Sequence, residues 1–209
     1  RHGKDLAEEL RRIGEEIGKQ ANEELAEFYP EDLNGATPIA YLWARTVKCE
    51  SPNCGAEIPL IRSFWLARKR GRKFALRYQV EQSNTKTPYL VFEVFSPNND
   101  SEVPDGTVSN ARALCPACKT VLLPDRVKFQ LSMQKGGSTC SVDHDGNRLG
   151  GSTLLVVIST SDGKSGKHYR VPSSTDIHAF ARVRDEVEKR KDSLIRKGII
   201  LPLPDEPIS

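Results

Sequence analysis

Two close cysteine pairs, Cys49-Glu-Ser-Pro-Asn-Cys54 and Cys115-Pro-Ala-Cys118, constrain this chain more than any other feature. A short tight turn holds two sulfurs on one side of an ion, and two such turns complete a tetrahedron of four soft ligands. A shell closed in this way leaves no position for water or substrate. The ion it suits is structural zinc on Cys49, Cys54, Cys115 and Cys118, not a catalytic metal. Gly55 follows the first pair at a place that favours positive φ. Lys119 holds the equivalent place after the second, where a left-handed backbone costs a residue with a side chain roughly 1 kcal/mol.

Two other fates compete for these cysteines. Cys-Pro-Ala-Cys has the spacing of a thiol–disulfide motif, but that chemistry wants its first cysteine at a helix N-terminus. Here Thr120-Val-Leu-Leu-Pro124 follows, which reads as a short strand ended by proline, and Cys49 and Cys54 would have no role. Unliganded buried thiols are the second alternative. Zinc is favoured over both. Cys140, in a Gly/Ser-rich stretch, reads as a spare thiol, and His144 between Asp143 and Asp145 as a solvated side chain. His2, His168 and His178 show no ligand spacing.

The segment between the pairs far exceeds the roughly 15–20 residues of a compact ribbon, so it is expected to fold as strands of its own beside the metal. Phe74, Leu76, Tyr78 and Val80 alternate with polar residues as on a half-buried strand, and Pro88–Phe95 reads as a second. Asp105-Gly106 marks a turn. Leu154–Ser159 and His168–Val171 pair as a hairpin across the polar 162–167 stretch, and the Gly-, Ser- and Asp-rich stretch 135–151 reads as a mobile loop.

Both ends read as helix. Leu6, Leu10, Ile13, Ile17, Ala21, Leu25 and Phe28 make an apolar stripe that needs something to pack on, and Pro30 stops it. Toward the C-terminus, Ser174 or Thr175 is placed to cap a helix striped by Ile177, Phe180, Val183, Val187 and Leu194, with Gly198 ending it. The expected class is therefore α+β. A zinc-ribbon-like β unit with inserted strands spans residues 34–172, flanked by amphipathic helices in 1–33 and 173–209. The last Pro-rich residues look like a linker.

No apolar run approaches the ~20 residues of a membrane span, and no signal peptide opens the chain. A cytoplasmic setting is the default expectation. The first residue is Arg1 and Met133 is the sole methionine, so the sequence reads as a piece of a longer protein.

Charge is unevenly spread. Between Ile58 and Val80 lie seven cations, Arg62, Arg68, Lys69, Arg70, Arg72, Lys73 and Arg77, and no acid. The whole chain is only +3, so the remainder is acidic. These cations are candidates for phosphate contacts, with the Lys-Arg-Gly-Arg tip presenting charge outward. The interleaved Phe64, Trp65, Phe74 and Tyr78 have strand-like spacing and read as core rather than as base-stacking platforms.

Several separated segments carry a family resemblance. Thr37-Pro-Ile-Ala-Tyr-Leu-Trp-Ala-Arg-Thr-Val-Lys-Cys49, the run Gly55–Ala67 with Gly71-Arg-Lys73, and Gly106-Thr-Val108 are three. Cys115-Pro-Ala-Cys118, Tyr169-Arg-Val-Pro172 and Pro204-Asp-Glu-Pro207 continue it. Together they resemble the central region of the zinc-ribbon-containing adenine-specific DNA methylases, long proteins that move a methyl group from S-adenosylmethionine to adenine in DNA. The resemblance implies an internal segment whose partners are DNA and the catalytic methyltransferase domain of the same protein. Neither a Phe-x-Gly-x-Gly cofactor loop nor an Asp/Asn/Ser-Pro-Pro-Tyr/Phe motif occurs in the chain. S-adenosylmethionine binding and methyl transfer are thus expected only of the full-length enzyme. The alternative is a zinc-stabilised interaction or scaffolding module.

Overall fold

The computed structural model describes residues 4–26, 28–29, 32, 35–69, 71–82, 87–134, 151–160 and 166–198. It is α+β, with helices toward both ends and antiparallel strands between. By its contacts the chain divides into two units, Pro38–Pro172 and Arg1–Thr37 with Ser173–Ser209. Among the described residues, no helix is long and apolar enough to cross a membrane.

In the first unit, period-two runs of β-branched and aromatic residues become strands. They are β1 (Thr37–Lys48), β2 (Glu57–Pro59), β3 (Trp65–Lys69), β4 (Arg72–Gln82) and β5 (Pro88–Phe95). Then follow β6 (Val108–Ser109), β7 (Arg112–Leu114), β8 (Val121–Leu122), β9 (Ser152–Thr160) and β10 (Lys167–Arg170). Three sheets result, ordered β10-β9-β1-β2, β3-β4-β5 and β6-β7-β8. The run Leu154–Ile158 does not alternate because β9 lies inside its sheet and is buried along nearly its whole length. β10 pairs antiparallel with it, Tyr169 opposite Ile158, as the sequence suggests.

Two apolar clusters hold this unit. Phe64, Leu76, Leu155, Val156, Ile158 and Ala44 form one, with Tyr78, Phe92 and Tyr169 packed against it. Phe64 is 1% exposed and stacks on Tyr78 and Phe92, and Phe74 stacks on Tyr169. Phe64 is core and Tyr78 packs on it, as their spacing indicates, whereas Trp65 and Phe74 are half-buried and lie in neither cluster. The second cluster surrounds the cysteines and contains no aromatic residue among its buried members.

Two local expectations change. A helix, α2 (Pro124–Met133), follows β8 inside the stretch expected to hold only strands and turns. Pro124 does not merely end the strand. It stands at the first helical turn, where its missing N–H costs nothing, with Asp125 beside it facing the positive end of the helix dipole. Asp105-Gly106 is not a free turn either. Asp105 bridges to Ser63, and Gly106 lies so close to the Arg62 carbonyl that a Cβ would collide with it. Beside it, buried Thr107 bonds through its hydroxyl to the Pro59 carbonyl and accepts the Ile61 N–H at 3.0 Å. This contact ties the start of the inserted segment to its end.

The second unit contains α1 (Lys4–Leu25) and α3 (Ser174–Arg196). α1 ends earlier than its apolar stripe suggests. Leu10 and Ile17 on that stripe are 63% and 61% exposed, so the face expected to pack remains open. α3 is capped by Ser173, one residue ahead of the candidates Ser174 and Thr175. Its Oγ accepts the Asp176 N–H while the Asp176 carboxylate accepts the Ser173 N–H at 2.7 Å, a reciprocal box. Gly198 stands just past the helix end at φ +67 and donates its N–H to the Ile195 carbonyl. Tyr29 meets Phe180 edge-on, and Arg190 pairs with Glu24 at 3.7 Å. His2, Pro30, Cys140, His144 and the Pro-rich tail lie outside the described residues, as does all but Gly151 of the expected 135–151 loop.

Candidate metal centre

Each cysteine pair sits in the turn of a β-hairpin. β1 and β2 pair antiparallel, Val47 opposite Ile58 and Lys48 opposite Glu57, and Cys49–Cys54 forms the turn between them. The Cys49 N–H bonds to the Ala56 carbonyl at 2.8 Å, closing the turn. β7 and β8 pair with Leu114 opposite Val121, and Cys115–Cys118 lies in their turn. There the Cys115 N–H donates to Thr120 and the Lys119 N–H to Cys115, both at 2.9 Å. Gly55 and Lys119 adopt the same left-handed backbone, φ +65 and +63. The strained lysine expected from the sequence is therefore present.

The four sulfurs lie within 4.8 Å of one another. Cys49 Sγ is 3.5 Å from Cys118 Sγ, and Cys54 Sγ is 3.7 Å from Cys115 Sγ. A tetrahedral ion with metal–sulfur bonds of about 2.3 Å spaces its ligands about 3.8 Å apart. A disulfide needs about 2.05 Å, so these are four thiols. Both close contacts run between hairpins rather than within a pair, which a redox dithiol does not require and a four-ligand shell does. The residues fit a metal ion. Among the described residues this is the one His/Cys/Asp/Glu group so arranged.

Burial explains the electrostatics. Cys49 and Cys115 are enclosed, and loss of water pushes both thiols up. Cys118 is exposed, and the Thr120 hydroxyl 3.3 Å away draws its thiol down to about 6. Three enclosed sulfurs cannot carry negative charge together without a cation among them. A divalent ion resolves the conflict by stabilising every thiolate at once.

α2 binds the two hairpins to each other. It leaves the β7–β8 hairpin and lies along the β1–β2 hairpin. The Lys48 N–H donates to Gln130 Oε1 at 2.7 Å, and Gln130 Nε2 returns a bond to the Lys48 carbonyl at 2.9 Å. One turn on, Gln134 Nε2 donates to the Thr46 carbonyl at 2.7 Å and its Oε1 accepts from Arg45. Arg126 forks onto Glu50, inside the first cysteine turn, and holds that carboxyl below its ordinary range. Gln130 and Gln134 share a helix face at a four-residue step, but without knowledge of α2 nothing marks them.

The cations of the basic segment fare differently. β3 and β4 place Arg68 opposite Lys73 and Lys69 opposite Arg72, with Gly71 at φ +78 in the tight turn. Asp100 accepts from Arg68 at 2.6 Å and from Lys73 at 3.1 Å. Glu93 takes both arms of Arg77, at 2.8 and 3.0 Å. Arg72 lies against Gly166, while Arg62 and Lys69 are exposed without an ion pair among the described residues. Arg70 lies outside the described residues. The seven cations thus do not form one uniform free ridge. The acids that neutralise three of them, Glu93 and Asp100, stand beyond the basic run in sequence.

Searches against protein-family models, curated proteins and solved structures find no match.

Proposed function

We propose that this chain is a zinc-pinned accessory region of a cytoplasmic, S-adenosylmethionine-dependent, adenine-specific DNA methyltransferase. In this reading it helps to hold DNA and performs no chemistry itself. The observation that carries it is the convergence of Cys49, Cys54, Cys115 and Cys118 from two hairpins, at the centre of the segments that resemble that family. Other resembling segments come together as well: Thr107 of Gly106-Thr-Val108 bonds to residues of the Gly55–Ala67 run. Zinc on the four cysteines would supply no reactivity. It would fix the base of the inserted sheet, whose strands carry Arg68, Lys69, Arg72, Lys73 and Arg77, with Arg62 just ahead and Arg70 between Lys69 and Gly71 in sequence.

The test is salt-dependent binding of the zinc-loaded chain to duplex DNA. Each neutralised phosphate contributes about −0.9 to the slope of log affinity against log salt. Replacing Arg68, Lys69 and Arg70 with alanine should flatten that slope by about two to three units. Replacing Lys189, Arg190 and Lys191 should change it little, because Glu186, Glu188 and Asp192 surround them. Equal slopes, or no binding at low salt, refute the DNA reading. A scaffolding module is the second reading. The observation that favours it is the open apolar stripe of α1, with Leu10 and Ile17 the most exposed.

A further inference from the structure

We propose that Arg68 and Lys73 form a two-pronged site for one backbone phosphate, and that the Asp100 carboxylate fills it until nucleic acid arrives. The inference rests on the DNA-holding reading and sharpens it. The register of β3 and β4 puts Arg68 directly opposite Lys73, so both side chains leave the same face of the sheet. Like charges at directly opposed positions repel, and an anion between them relieves that repulsion. Asp100 is that anion, 2.6 Å from Arg68 and 3.1 Å from Lys73. It comes from neither strand but from a separate 3-10 turn, Asp100–Glu102.

The prongs are already aimed. The Arg68 guanidinium lies 4.6 Å from the Trp65 ring centroid and the Lys73 ammonium 6.0 Å, over the same half-buried indole. A cation held over a rigid ring loses less freedom when an anion binds. Two phosphate oxygens present acceptors much as two carboxylate oxygens do. The side chains of Arg68 and Asp100 are 59% and 53% exposed, so a phosphate can reach the pair and the carboxylate can swing away. Ion pairs this exposed are weak, so the exchange is easy. Arg77 shares the face but is gripped by both oxygens of Glu93, and is not a prong.

The test measures anisotropy of a fluorescent random-sequence DNA duplex with the zinc-loaded chain at low salt. Asp100→Asn keeps the shape of the side chain and removes its charge. It should tighten binding about two- to fivefold, and adding Arg68→Ala to Asp100→Asn should abolish the gain. Asp125→Asn, an equal charge change on α2, should leave affinity unchanged. If wild type binds but Asp100→Asn binds no better, the inference falls and the DNA reading survives. A gain that persists with Arg68→Ala, or that Asp125→Asn reproduces, also overturns it. If neither wild type nor Asp100→Asn binds, both readings fall together. Zinc content of each variant confirms that it is folded.

Discussion

The cysteine-bearing hairpins and the inserted sheet β3-β4-β5 are held by different means, although both belong to the same unit. Strands β2, β7 and β8 are two or three residues long, and the cluster beneath them is built of Val47, Ile58, Ala56, Ala113, Leu122, Val127 and the cysteines. So little apolar surface cannot offset the ordering of so many turns. β4 and β5 instead pair over eight consecutive positions, and their inner face adds Leu76, Tyr78 and Phe92 to buried Phe64. One region has a small core and four thiols placed where they could hold an ion; the other has a larger core. α2 clips the two cysteine hairpins to each other and Thr107 ties together the two ends of the inserted segment, without making the two regions alike.

That contrast is open to direct attack, and metal removal is the harshest way. A structural zinc site contributes on the order of 10 kcal/mol to ordering its ligands. Chelation or Cys115→Ser should therefore release the hairpins, with fast amide exchange at Val47, Cys115 and Lys119. Amides of β4 and β5 should stay protected. Equal loss of protection in both regions would mean that they fold as one, and the contrast would fail. Metal analysis of the untreated protein should find about one zinc per chain, and its absence from folded protein would remove the basis of the comparison.

The converse experiment empties the other core. Phe64 is 1% exposed and touches two aromatic rings, so Phe64→Ala should cost about 3–5 kcal/mol of unfolding free energy. Zinc content should not change. A variant that loses stability and metal together would show the two regions to be coupled.

Within the cysteine-bearing region the two turns can be set against each other. Lys119 and Gly55 share a backbone that only glycine adopts without strain. Lys119→Gly should stabilise the zinc-loaded protein by about 1 kcal/mol, and Gly55→Ala should destabilise it by a similar amount. Thermal melts under saturating zinc read both. No gain from Lys119→Gly would indicate that a lysine contact offsets the strain.

The smallest effect belongs to the turn before β7. Asn110 and Ala111 both have positive φ, 49 and 59, between paired Ser109 and Arg112. This is the two-residue hairpin turn that favours Asn-Gly. Ala111→Gly should add about 0.5 kcal/mol, visible as a small rise in melting temperature with zinc content unchanged. A drop would mean that the Ala111 methyl makes a contact worth more than its strain.

Much of this was legible in particular residues. The paired spacing of Cys49/Cys54 and Cys115/Cys118 located the candidate metal centre, because two close thiols can share an ion only if the turn between them is tight. Alternation along Phe74–Val80 located β4, and the unbroken apolar run Leu154–Ile158 located a buried strand. Pro124 misled, since proline ends a strand and begins a helix with the same fixed φ. Ser173 was missed as the cap of α3 because its neighbours Ser174 and Thr175 offer the same side-chain oxygen.

By itself the sequence determined which four cysteines cluster, the α+β class, the glycine-like turn forced on Lys119 and the core places of Phe64 and Tyr78, since each follows from local spacing and residue type. Only the tertiary structure decided the rest. It brought Asp100 between Arg68 and Lys73 and Glu93 onto Arg77, turning a run of seven cations into a partly neutralised surface. It also placed Gln130 and Gln134 on the backbone of β1, far from them in sequence. The physical reason is common to both. Local pattern sets which face of an element is apolar or charged, but the partner that satisfies a charge or a backbone group is chosen by proximity in space.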